Sequence, residues 1–186
     1  MNILYEKFPN AVVVDGKSYP VETDFREWIR FQELVDDDTV PWQIKCRLLL
    51  RWYTKQIPPD IESAIYALGE FLICKKKEEY EEEGRGPAEP VFSFTEDAGC
   101  IYAAFREAYG IDLQKVTYMH WWEFRSLFDW LPEDTEIKQR ILYRGTDVNS
   151  IPDKNERKRV RRIQEAIALK KKRRVMTDYE IGDVFS

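Results

Sequence analysis

Histidine is nearly missing from this chain: His120 is the only one in 186 residues. A histidine metal cluster is therefore excluded. Cysteine is scarce too. Cys46, Cys74 and Cys100 are an odd number without paired spacing, which argues against a disulfide framework and for reduced thiols in a cytosolic setting. No apolar run is long enough to span a bilayer. The most apolar one, Ile65 to Cys74, is short and interrupted by Glu70. The N-terminus MNILYEKFPN lacks the charged and apolar regions of a signal peptide. A soluble, intracellular protein with no membrane partner is expected. No glycine-rich loop precedes a helix carrying Lys-Ser/Thr, so the phosphate-loop class is absent. No nucleophile, base and orienter stand together. Glu96, Asp97, Glu107, Asp112, Glu123, Asp129, Glu133 and Asp134 read as caps and solvated faces rather than an acid–base pair. These absences point away from an enzyme and from any cofactor.

What the chain does have is aromatic mass and an uneven charge. Residues 1–152 carry 18 basic and 28 acidic groups, whereas residues 153–186 carry 11 basic and 6 acidic ones. An acidic body with a basic C-terminal part can attract acidic partners through that part while the body repels nucleic acid. Apolar content of 44% permits a substantial core, and charged content of 34% suits helices with solvated faces. No internal repeat is present.

Residues 3–22 read as a β-hairpin. Ala11 to Val14 is rich in β-branched side chains, Asp15-Gly16 is a tight-turn signal, and Lys17 to Val21 returns. Ile3-Leu4-Tyr5 is a candidate third strand. From Thr23 the periodicity becomes helical. Asp24 is the expected N-cap of a helix over 25–35, with Glu27 as capping-box partner and a stripe of Phe25, Trp28, Ile29, Gln32 and Val35. Asp36-Asp37-Asp38 breaks it. Thr39 is the expected cap of a second helix, with Trp42, Cys46, Leu49 and Tyr53 facing inward. Pro58-Pro59-Asp60 precedes a third helix over 61–76, striped by Ile61, Ile65, Leu68 and Leu72. Residues 78–92 read as a charged linker. Thr95 is the expected cap of a helix over 96–109 that Gly110 closes. Further helices are expected over 115–130, 135–144 and, capped by Asp153, 154–173. The residues 175–186 read as a frayed tail. The chain is thus expected to be mainly α: one helical domain over 1–174 with an N-terminal β-hairpin and a basic amphipathic C-terminal helix.

Two constellations are candidate partner-binding surfaces. In the aromatic segment, Trp121, Phe124 (or Arg125) and Phe128 fit one helical stripe, while Trp122 and Trp130 lie off it. That helix is either buried nearly all round or docks a second surface. His120 reads as a structural histidine. In the basic helix, Val160, Ile163 and Ile167 form a narrow apolar stripe, surrounded by Arg157, Lys158, Arg159, Arg161, Arg162 and the run 170–174. Three readings of it remain open: packing on its own domain, docking a helical protein, or contacting nucleic acid or acidic lipid. The apolar seam favours protein contact, since phosphate binding needs none. The candidate docking residues are Trp121, Trp122, Arg125, Trp130, Arg157, Val160, Arg161, Ile163 and Ile167.

Phe92-Ser93-Phe94, then IYAAFREAYGIDL at 101–113, HWWEFRSLFDWLPEDT at 120–135 and KQRILYRGTDV at 138–148 resemble the bacteriophage gene-product-fifteen family, found in long-tailed phages and prophages of Gram-positive bacteria. The hairpin with Asp15-Gly16-Lys17 and Thr23-Asp24-Phe25-Arg26 fits the same pattern. The resemblance implies a tail-assembly role, because members are encoded beside the tape-measure gene. A chaperone of that kind would coat the long helical tape-measure protein, recruit tail-tube subunits, act in the bacterial host cytoplasm and be absent from the mature virion. Coating by many copies would favour self-association. The competing expectation is a structural virion component, such as a tail-completion or head–tail connector subunit. Nucleic-acid binding through the basic tail is the third.

Overall fold

The computed structural model describes residues 2–74 and 90–170. The described residues fall into two compact units, 2–74 and 90–170. Among the described residues there are seven α-helices and one two-stranded antiparallel hairpin, so the chain is mainly helical. Most of the expected linker at 78–92 and the tail at 175–186 lie outside the described residues.

The first unit opens with β1 (Ala11–Val14) and β2 (Lys17–Pro20). Asp15 and Gly16 both take positive φ, 49° and 74°, as a two-residue hairpin turn of matching twist requires. Val12 and Val14 are buried while Val13 is exposed, the period-two pattern of a half-covered strand. Ile3-Leu4-Tyr5 is not a third strand. It forms a turn closed by Tyr5 and Glu6 N–H groups donating to Asn2 C=O, and its apolar side chains stay exposed.

Helix α1 (Phe25–Val35) matches the expected bounds. Asp24 accepts from Arg26 N–H at 2.9 Å, but Glu27 does not complete a capping box. Glu27 pairs with Arg30 instead, and Glu22 accepts from the Asp24 N–H at 3.3 Å. The buried face is Phe25, Trp28 and Phe31, because Trp28 stacks on Phe71 at 4.6 Å and Phe31 meets Trp52 edge-on at 5.2 Å. Helix α2 (Trp42–Leu49) starts after Pro41 without a side-chain cap; Thr39 bonds Asp37 instead. Its expected inward residue Trp42 is exposed, and Lys45 is buried in its place. The Lys45 Nζ donates to Val35 C=O at 2.7 Å, which neutralises the negative end of α1.

Helix α3 (Ile61–Leu72) is capped by Asp60, which accepts from Ser63 N–H. Its inner face is Ala64, Ala67, Leu68 and Phe71 rather than the expected Ile61, Ile65, Leu68 and Leu72. The two alanines let α3 lie close to β1 and to Tyr53, whose hydroxyl donates to Ala64 C=O at 2.7 Å.

The second unit contains α4 (Ala98–Tyr109), α5 (Trp121–Asp129), α6 (Glu136–Gly145) and α7 (Lys154–Ile167). Gly110 closes α4 at φ 67°, a left-handed conformation suited to glycine. Thr95 does not cap α4; residues 94–97 form a turn and Asp97 occupies the cap position. The aromatic helix expected over 115–130 starts only at Trp121. Asp112 C=O accepts from Lys115 and Val116 N–H groups, and its carboxylate accepts from Tyr102 hydroxyl and Arg106. That turn is a single one, and the chain from 116 to 120 is irregular before α5 begins. Helix α7 ends at Ile167, short of the expected 173, because Ala168 is extended at ψ 135°. Arg144 Nε caps the Ile167 C=O at 2.8 Å, and Lys170 N–H then donates to Glu96.

Candidate functional site

Elementary sterics explain most of the aromatic segment. His120 is the N-cap of α5: its Nδ1 accepts from Trp122 N–H at 3.0 Å, which leaves the proton of the neutral ring on Nε2. It is buried and structural. Trp121, Phe124 and Phe128 form the inner stripe, and Trp121 has no exposed surface at all. Phe124 stacks on Phe105 at 5.1 Å, and Phe94 closes on Trp121, Phe124 and Phe128 within 6 Å. A side chain so enclosed offers nothing to a partner, so the candidate Trp121 is a core residue. Arg125 is half-buried, with its guanidinium 5.7 Å from the Trp121 ring centroid and 3.3 Å from Asp129. Trp122 is also half-buried. Trp130 is different. It is 83% exposed just past the end of α5, on a turn whose next residue, Leu131, is buried.

The basic helix packs on its own unit. Val160 is 4% exposed, and Ile163 and Ile167 are half-buried beside it. Gln164 Nε2 donates to Tyr143 and Thr146 C=O at 2.7 and 2.8 Å, pinning α7 to the end of α6. Arg157 donates to Ile151 C=O, so this candidate braces the loop before α7. Of the three readings of this helix, packing in cis is the one with contacts in the structure: Val160 is buried and Gln164 is bonded to α6. Arg161 points the other way, exposed with Lys154, Lys158 and Arg162.

One buried charge cluster holds that arrangement. The Asp97 side chain is fully enclosed and receives Arg144 at 2.6 and 3.0 Å, Arg140 at 3.2 Å and Ser93 N–H at 3.0 Å. Burial alone would push this carboxyl up. The hydrogen bonds from Arg144, Ser93 and Arg140 and the Arg144 charge outweigh it and hold the group below the usual carboxylate range. Arg144 also donates to Val91 and Ile167 C=O, so one guanidinium ties the 91–97 segment to α6 and α7. Nothing in the sequence links Asp97 to residues 43 and 47 positions away.

The surface that sequence periodicity missed is on α3. Ile61, Ile65, Gly69 and Ile73 recur every four residues along its outer side, with Tyr66 beside them. Ile61, Tyr66 and Ile73 are exposed, Tyr66 by 60%. A Cβ placed on Gly69 would meet nothing within 4 Å, so bare helix backbone lies open in the middle of the stripe. Glu62 and Glu70 are the only charged residues on this helix. A signal was present: α3 is apolar nearly all round, which a helix with one buried face does not need.

A depression of about 390 Å³ in the first unit is lined by Glu22, Glu27, Leu34, Leu48, Arg51 and Trp52, with no nucleophile among them. Among the described residues no group of three His, Cys, Asp or Glu is placed to hold a metal ion. None of the described helices is long and apolar enough to cross a membrane. No curated protein and no solved structure matches the chain. The chain belongs to the Bacteriophage Gp15 protein family, which it matches over residues 4–169.

Proposed function

We propose that this protein is a tail-assembly chaperone that binds the phage tape-measure protein and helps recruit tail-tube subunits. It acts in the host cytoplasm and leaves before the particle is complete. Family membership supports a phage role, and the observation that carries the docking step is the outer stripe of α3. A tape measure awaiting its tube is a long helix with uncovered apolar seams. A second apolar helix with an open glycine at its centre is a suitable cover for such a seam. The flanking Glu62 and Glu70 keep the stripe soluble when no client is bound. The candidate stripe on α7 suits the role less, since Val160 would have to leave its own core to reach a client.

Co-expression with the tape-measure protein should yield a complex and keep the client soluble. Tyr66→Asp with Ile73→Asp should abolish that complex and leave helical content unchanged, because both side chains are exposed. Mass spectrometry of purified particles should find no copy of the chain. A stoichiometric amount in the particle, with no tape-measure complex, would make it a structural virion component instead.

A further inference from the structure

We propose that the cationic outer face of α7 on one copy docks on the Trp130 turn of a second copy, joining protomers head to tail. Lys154, Lys158, Arg161 and Arg162 share that face with Glu165 as its single carboxylate. The four cations are exposed and form no ion pair among the described residues, whereas Arg159 is paired with Glu156 at 3.3 Å. Val160 and Gln164 fix the opposite side to α6, so the cationic face cannot turn inward.

Trp130 supplies the complement. Its N–H bonds Ser126 C=O, Leu131 N–H bonds Phe128 C=O, and Lys138 Nζ holds Asp129 C=O at 2.9 Å. An anchored backbone therefore carries a largely solvated indole. Exposed Asp129, Glu133 and Asp134 flank it; Asp129 pairs with Arg125 at 3.3 Å and Glu133 with Lys138 at 3.5 Å, while Asp134 forms no ion pair among the described residues. An indole face accepts a guanidinium, and neighbouring carboxylates provide the opposite charge. Arginine and tryptophan are also the side chains that most often carry interface energy.

The turn sits at the start of α6, while α7 is tied to Tyr143, Arg144 and Thr146 at its far end. A ten-residue helix puts about 15 Å between them. Because the two patches differ, the contact is heterologous, and each copy keeps one free patch of each kind. The patches are small, so association is weak and salt-sensitive. It uses neither α3 nor a client, so its failure and failure of the chaperone reading are separate results.

Sedimentation velocity of the full chain tests this. The wild type should add species larger than a dimer as concentration rises and lose them at high salt. Arg161→Glu with Arg162→Glu should be monomeric, and so should Trp130→Ser with Asp134→Lys. An equal mixture of the two variants should form dimers and nothing larger, since one intact turn and one intact α7 remain. Circular dichroism checks folding, and Arg161→Gln with Arg162→Gln replaces the first variant if it unfolds. The proposal is overturned if the wild type stays monomeric at the concentration of an overexpressing cell. It is equally overturned if either variant associates as the wild type does, or if the mixture stays monomeric. A monomeric wild type that binds duplex DNA through Arg161 and Arg162 would assign the face to nucleic acid.

Discussion

Removing the Asp97 carboxylate should unfold the second unit more than any other single polar change. The side chain has no exposed surface, and Arg144 opposite it keeps only 9%. In Asp97→Ala, Arg144 would stay buried with its charge unanswered, while Ser93 N–H would lose its acceptor. Breaking a buried pair from one side costs about 3–5 kcal/mol, against the roughly 5–15 kcal/mol that holds a typical domain. Arg144→Met should cost a similar amount, because it strands the carboxylate and frees Val91 and Ile167 C=O. The double variant should cost clearly less than the sum, with a coupling of about 2 kcal/mol or more. Urea unfolding of the four proteins gives these values. The pH dependence supplies an independent check. A carboxyl held below its unfolded value adds stability above about pH 4, and that stability is lost as pH falls through the lower folded value. Asp97→Asn should flatten this acid slope. Losses under 1 kcal/mol in both single variants, or an unchanged acid slope, would refute the view of Asp97 as the anchor of the unit.

Other positions give sharper contrasts. Gly69→Ala should raise stability by about 0.5–1 kcal/mol in thermal unfolding, since the added methyl meets open space in a helix interior. The same change should weaken tape-measure binding if backbone there approaches the client. Val160→Asp should destabilise by about 3 kcal/mol or more by burying an unpaired charge, whereas Arg161→Gln should lie within about 0.5 kcal/mol of wild type. Denaturant titration of this pair tests whether α7 packs in cis. Lys45→Met should cost about 1–2 kcal/mol in the same assay, because Val35 C=O loses its cap.

Local chemistry was legible in the residues; tertiary choices were not. Asp15-Gly16, Asp24, Gly110 and Asp153 each announce a turn or cap by their own conformational preference, and each sits where it was expected. The mainly helical class follows from such signals. The faces were harder. Periodicity placed Ile61 and Ile65 in the core because they are larger than Ala64 and Ala67. Close packing on β1 instead selects the small side chains and turns the larger ones outward. Trp42 looks like a core residue by composition, yet it opens α2 and is exposed, whereas Trp130, off the expected inner stripe, is exposed as that position implies. Lys45 shows the converse, a charged residue drawn inward by an uncapped carbonyl. The Asp97 cluster is set by long-range contacts, which no local pattern encodes. The alternation in residues 154–167 was correct, but the choice between core and docking stripe needed Tyr143 and Thr146 beside Gln164.

The client surface can be located directly by amide hydrogen exchange of the protein alone and bound to a helical tape-measure fragment. New protection should appear along 61–73 and over the outward turns of α3, with 154–167 unchanged. Protection confined to 154–167, or no change in α3 while a stable complex is present, would contradict the assignment of α3 as the docking surface.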